Sequence, residues 1–239
     1  WRIFSDFAHV LISQAADLYA GEDFGVELTE VAYALDSTTI DLCLSLFPWA
    51  TFRRAKAAVK LHTLLALRGN FPAVVIVTPG SVHDVNILDE LCFDPGSFYI
   101  MDKAYLDYGR LHRLHRSGAF FVTRAKRNAR FSRRYSHPAD KPAGIRFDQT
   151  VTLSGFVSHR HHPDPLRRIG YRDPVTGKDF VFVTNNFIQP ALTIASLYKS
   201  RWQVELFFKW IKQHLRIKAF YGTSECFASD GTGQTPDIG

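Results

Sequence analysis

The sequence predicts a mixed α/β fold: a sheet with flanking helices and a β-rich insertion before the last helix. Three observations carry this expectation. Residues 31–35, 58–67, 73–78 and 97–101 are short apolar or alternating runs of strand length. Two of these runs lead straight into carboxylates, Asp36 and Asp102. Residues 198–212, YKSRWQVELFFKWIK, have helical periodicity, with Tyr198, Arg201, Glu205 and Lys212 inside an arc of roughly 60° at about 100° per residue.

Residues 1–20 open the chain as a helix. Residues 31–35 alternate as a strand that ends at Asp36, where the polar DSTT breaks the apolar run. The runs 58–67 and 73–78 flank RGNF and read as a hairpin, which makes three antiparallel strands. Asp84 suits an N-cap for the helix VNILDEL. Residues 97–101 form a strand entering Asp102, 105–117 a helix and 119–123 a further strand. The pattern then dissolves over 124–144 and resumes as strand-like pieces at 149–157, 166–171 and 180–184. Pro190 and Thr193 precede one long helix carrying Glu205. This is the element order of a ribonuclease H-like fold. It divides into an N-terminal helical remnant (1–30), a first core part (31–124), a β-rich insertion (125–189), a core part with the last helix (190–221) and a tail (222–239).

A chain of 239 residues that is 46% hydrophobic is long enough for a substantial core, and its net charge of +6 favours an anionic partner. Nucleic acid ranks ahead of membrane, because no basic amphipathic helix stands alone and no apolar run approaches the roughly 20 residues that span a bilayer. Cys43, Cys92 and Cys226 lie far apart, which argues against a disulfide framework or a cysteine zinc site and fits a reducing cytosol. The start inside a helix at Trp1 and the Gly, Ser and Thr-rich tail lead to the expectation of a chain truncated at both ends.

A mixed sheet would bring the ends of the first and fourth strands side by side, with the polar stripe of the last helix against them. Asp36, Asp102 and Glu205 would then converge. Three carboxylates on three elements suit two hard divalent cations about 3.5 to 4 Å apart, the arrangement that activates a hydroxyl and stabilises the leaving oxygen of a phosphodiester. Each acid also has a plainer reading: Asp36 as a turn residue with Asp41 as rival, Asp102 as a helix cap, Glu205 as an i, i+4 salt-bridge partner. Trp202 and Trp210, at helical spacing, read as core rather than as base-stacking platforms. His159, His161 and His162 read as a polar turn before Pro163 rather than as a metal tract.

The order Y-x-x-R-x-x-x-E-x-x-x-x-x-x-K from Tyr198 to Lys212 resembles the signature of DDE transposases of the insertion sequence 4 family. YALDSTTIDL, FYIMDKAYLD and the stretch through TSE at Glu225 extend the resemblance. It implies that Asp36, Asp102 and Glu205 are catalytic metal ligands for two Mg²⁺ ions, with Mn²⁺ as substitute. Tyr198, Arg201 and Lys212 would hold phosphates of the transposon end. The implied activity is hydrolysis at the element's end to expose a 3′-hydroxyl, followed by attack of that hydroxyl on target DNA. Double-stranded DNA and a second copy, in a synaptic homodimer, are the implied partners, and a bacterial cytoplasm with nucleoid association the implied location. The basic run with Arg124, Lys126 and Arg127 is a further backbone-binding patch. The family commonly has Asp-Arg-Gly-Tyr where this chain has Asp102, Lys103, Ala104 and Tyr105. Lysine loses a bidentate phosphate fork, and alanine would strain any positive φ. Two rival functions remain open: a structure-selective nuclease with the same site, and an inactive DNA-binding remnant.

Overall fold

The computed structural model describes residues 2–19, 21–42, 51–53 and 56–214. Cys43, Cys226, Leu215 and the tail 222–239 with Glu225 lie outside them. Helix α1 (Arg2–Leu18) opens the chain, and β1 (Ala32–Leu42) begins the sheet. Strand β2 (Thr51–Arg53) is short, and β3 (Lys56–Ala66) and β4 (Phe71–Pro79) form the expected hairpin. Its turn is built for the sequence: Gly69 and Asn70 take φ of 81° and 53°, a region open to glycine and tolerated by asparagine.

After a 3₁₀ helix (Asp84–Asp89) come β5 (Phe98–Met101), a second 3₁₀ turn (Lys103–Tyr105), α2 (Tyr108–Arg116) and β6 (Phe120–Arg124). Helix α2 is capped by the Asp107 side chain, which accepts from Arg110 N–H at 2.9 Å. Strands β1, β5 and β6 run parallel, while β3 and β4 join antiparallel on the other side of β1, giving the order β4-β3-β1-β5-β6. That mixed sheet is the ribonuclease H-like core. All four residues of β5 are buried, because both of its faces are covered.

The segment where sequence periodicity dissolves contains β7 (Phe131–His137), an exposed strand with charged residues on both faces and hence no apolar alternation to read. Strand β8 (Ile145–Leu153) follows, and helix α3 (Phe156–His161) takes the last two residues of the strand expected at 149–157. Strands β9 (Leu166–Arg172) and β10 (Asp179–Thr184) complete the set. Strand β10 pairs antiparallel with β6, so β10, β9, β8 and β7 prolong the core sheet.

Gly144, between β7 and β8, has a φ of +90°, and a Cβ there would stand 2.5 Å from the Arg172 carbonyl oxygen. Arg172 N–H donates to the Gly144 carbonyl at 2.8 Å, so neither backbone can retreat without losing a ladder bond. Gly144→Ala is expected to cost about 2–4 kcal/mol, from the strained φ and the overlap together, measurable as a lower urea midpoint.

The single long helix of the sequence reading is two helices, α4 (Ala191–Ser200) and α5 (Trp202–His214). They join at Arg201 through tight i to i+3 bonds: Arg201 N–H donates to the Tyr198 carbonyl (3.3 Å) and Val204 N–H to the Arg201 carbonyl (3.1 Å). Ile194, Leu197, Val204 and Phe208 pack on the sheet face formed by Ala34, Phe98, Ile100 and Val122. The opposite face, with Leu35, Tyr99, Met101 and Phe121, is covered by the 3₁₀ segments and α2. Trp202, Leu206 and Trp210 are 54%, 47% and 52% exposed, so the expectation that these tryptophans are core is corrected.

Candidate active site

Strand alternation selects the acids. Ala34 and Ile100 face α4 and α5, so Asp36 and Asp102, two residues further on, share that face. Leu35 opposite Met101 is the last parallel pair between β1 and β5, which sets Asp36 and Asp102 at one level of the sheet. Asp36 is not at the end of its strand, as expected, but within it. Strand β1 continues to Leu42 against β3, and it is the β5 pairing that stops. This frees the site edge while keeping Asp36 on a rigid, paired backbone. Asp41, the rival acid, falls on the opposite face by the same alternation.

Arg201 reaches down from the α4–α5 junction. Its Nη1 donates to Asp36 Oδ2 at 2.5 Å and its Nη2 to Glu205 Oε1 at 2.8 Å. Ser37 N–H donates to Asp36 Oδ1 at 2.9 Å. Burial pushes the Asp36 carboxyl above its usual range, although Arg201 and the Ser37 N–H pull it down. At Asp102 burial also acts upward, but the Lys103 N–H and the Arg124 guanidinium outweigh it and hold this carboxyl below its usual range. Asp102 Oδ1 accepts from Arg124 Nη2 (3.0 Å) and from the Tyr198 hydroxyl (3.1 Å). Burial, with the Asp102 charge second, raises the Tyr198 phenol to about 12, so it remains a donor at neutral pH.

A groove of about 510 Å³ runs beside these acids, lined by Asp36, Ser37, Thr38, Glu205, Lys209 and Lys212 among others. The structure therefore gathers Asp36, Asp102, Tyr198, Arg201 and Glu205, with Lys212 along the groove. Among the described residues no three His, Cys, Asp or Glu side chains form a metal-ligating group, and the Arg201 fork lies between Asp36 and Glu205. The donor set fits hard divalent cations, being all carboxylate oxygen, and its location holds a positive group already.

Arg124, Lys126 and Arg127 line a second cavity of about 530 Å³, with Lys103, Phe131 and Arg168. Arg168 went unnoticed in the sequence. Its guanidinium lies 4.8 Å from the Phe147 ring centre and 5.5 Å from that of Phe131, and burial lowers its pKa. Among the described residues Lys103, Arg127 and Arg168 make no salt bridge, which leaves their charge available to an anion. The signal was a pair of arginines inside an apolar strand run, LRRIG. Ala104 lies outside the positive-φ region, so replacing glycine there strains nothing.

Asp84 caps no helix. Its Oδ1 accepts from Ser37 Oγ (2.8 Å) and Lys60 Nζ (3.0 Å), a brace behind β1 at the level of Asp36. Only the sheet register brings these residues together. His62 lies beside this brace, fully covered, and His162 is buried against His112 and His115 rather than in an open turn. Burial pushes both imidazoles down to about 4. Between about pH 6.5 and 4 the unfolded chain therefore binds more protons than the folded one. The stability these neutral rings contribute is complete above pH 6.5 and lost as pH falls toward 4, by up to about 1.4 kcal/mol per pH unit for each. His62→Gln should flatten that slope by about one proton's worth in urea midpoints taken across this range.

The family described as transposase DDE domain matches residues 27–225. A putative transposase y4zB of Sinorhizobium fredii is 34% identical over 80% of this chain and 54% of its own length. A probable transposase for insertion sequence element IS5377 of Geobacillus stearothermophilus is 33% identical over 80% of this chain and 50% of its own. A putative transposase for insertion sequence element IS4SA of Synechocystis is 24% identical over 81% and 54%. A synaptic complex of piggyBac transposase with hairpin DNA shares a TM-score of 0.45 and 10% identity over 76% of this chain and 40% of that one. The chain spans about half the length of the curated relatives it matches. No described helix is long and apolar enough to cross a membrane. Because the family match runs unbroken from before the strand that brings Asp36 to beyond the helix that carries Glu205 and Lys212, the chain belongs to the transposase DDE domain family.

Proposed function

We propose that this domain performs the strand chemistry of DNA transposition. The observation that supports it best is the placement of Asp36 and Asp102 at one level of the sheet with Glu205 across from them on α5. Asp36, Asp102 and Glu205 would hold two Mg²⁺, or Mn²⁺ in their place, and the bound cations would lower the pKa of the attacking oxygen and offset charge on the leaving one. Water attacks the phosphorus at the element's end, the P–O3′ bond breaks, and the freed 3′-oxygen takes up a proton. That 3′-hydroxyl then attacks a target phosphodiester, transferring the strand and releasing a target 3′-hydroxyl.

Arg124 and Tyr198 orient Asp102 through its Oδ1. Lys212 offers phosphate a point charge, and Arg201 a planar fork once released from the acids. The cavity with Lys103, Lys126, Arg127 and Arg168 tracks the backbone of double-stranded DNA, and two copies hold two ends in a synaptic homodimer. Such a protein works on DNA in the bacterial cytoplasm, at the nucleoid.

The test is incubation of the chain with DNA carrying its element's end, Mg²⁺ or Mn²⁺, and a target plasmid. Cleavage to a 3′-hydroxyl and a 5′-phosphate with joined products is the expected outcome. Cleavage without joining would assign a nuclease instead. End binding without cleavage under either metal would leave an inactive DNA-binding domain.

A further inference from the structure

Arg201 stands between two of the three acids and spends its whole fork on them, one Nη on Asp36 (2.5 Å) and the other on Glu205 (2.8 Å). Its side chain is only 15% exposed, and its Nε is buried without a partner. Burial works against the charge of this guanidinium, and Asp36, Tyr198, Glu205 and Asp102, in that order, stabilise it. We propose that Arg201 is an internal counter-ion which occupies the carboxylates until a phosphate draws it away, so that divalent-cation loading and phosphate binding at this site favour one another. The proposal rests on the three-carboxylate reading above and adds how that site is switched on.

The argument is electrostatic and geometric. Carboxylates gathered at a partly buried site need compensating charge, and Arg201 supplies it. Both Asp36 oxygens are engaged, Oδ1 by the Ser37 N–H and Oδ2 by the guanidinium. A divalent cation on Asp36 and Glu205 would sit against that guanidinium, and like charges at such range in a partly buried site repel strongly. The fork that grips two carboxylates also cannot present its two Nη groups to a phosphate. Each partner that arrives therefore removes an obstacle to the other: phosphate frees the acids for metal, and metal displaces Arg201 toward phosphate. Linkage makes this coupling reciprocal. Lys209 and Lys212 along the same groove would draw the phosphate to within reach of the fork. The consequence is a hydrolytic centre whose assembly is favoured by DNA in place.

The experiment is Mn²⁺ titration without DNA, followed by electron paramagnetic resonance, on the unaltered chain, Asp36→Asn, Arg201→Gln, Arg201→Lys and Arg201→Gln combined with Asp36→Asn. Each is checked for folding by circular dichroism. Sulfate, as a phosphate-like oxyanion, is added against chloride at matched ionic strength. Arg201→Gln is expected to bind Mn²⁺ about tenfold tighter, Arg201→Lys to lie between, and the Asp36→Asn combination to lose the gain. Sulfate should tighten Mn²⁺ binding by the unaltered chain and leave Arg201→Gln unchanged. Equal or weaker binding by a folded Arg201→Gln, with Asp36-dependent binding by the unaltered chain, would overturn the counter-ion proposal and leave the three-carboxylate site standing. Absence of Asp36-dependent binding in every variant would overturn both. Were Arg201→Gln unfolded, Arg201→Lys decides by the same criterion, because lysine can reach only one of the two acids at a time.

Discussion

Asp102→Asn is expected to lower metal-dependent cleavage by about a thousandfold or more, the loss that about 4 kcal/mol of transition-state stabilisation represents. The substitution removes one negative charge from the proposed metal-binding face and little else. Asparagine keeps an oxygen that can accept from the Tyr198 hydroxyl and Arg124, the two partners of Asp102 Oδ1. The Asp102 side chain is 26% exposed, so the charge-assisted part of its pairing with Arg124 is discounted by solvent, and stability should change by less than about 1 kcal/mol. Cleavage of end DNA and urea unfolding, measured on one preparation, separate the two effects. Retained cleavage would remove Asp102 from the chemistry, whereas lost cleavage accompanied by a large fall in stability would point to a structural role.

The second large effect concerns the pair that secures the last helices. Arg167 on β9 grips Asp148 on β8 through two bonds, Nε to Oδ1 at 2.9 Å and Nη2 to Oδ2 at 2.6 Å, with the two side chains only 8% and 5% exposed. The remaining Nη1 donates to the Gln189 carbonyl at 2.6 Å, one residue before Pro190 caps α4. Asp148→Ala leaves a buried guanidinium without its counter-charge and should cost about 3–5 kcal/mol, read as a fall in the urea midpoint. Replacing both partners together, as Asp148→Leu with Arg167→Met, should recover much of that loss, since no charge is then stranded. The single substitution loosens the start of α4, whose Tyr198 touches Asp102. Cleavage should therefore suffer in Asp148→Ala even where the folded fraction is corrected for.

Much of the site could be read from the chain because its chemistry is written in local patterns. Asp36 and Asp102 announce themselves by apolar runs that stop at an acid, and the Tyr198-to-Lys212 stripe by helical spacing. The paired strands at 58–67 and 73–78 were legible from RGNF between two apolar runs. Periodicity failed where neither face of an element is buried, as at β7, and where a helix follows a strand without a change in composition, as at α3. It also misjudged the outer face of α5, because an apolar stripe states that burial is favourable and not that a partner is present.

What the sequence by itself determined was the mixed α/β class and which three acids, with the residues around them, are the candidates for a site. Those features depend on spacing within single elements and on residue type. Only the tertiary structure decided which groups meet across elements: Arg201 set between Asp36 and Glu205, Arg124 and Tyr198 on Asp102, Asp84 with Lys60 behind Ser37, and Arg168 between two phenylalanine rings. Such pairings are set by sheet register and by which face each helix lays on the sheet. These are non-local packing outcomes, and a shift of one residue in register would have turned every one of the strand-borne side chains to the other face.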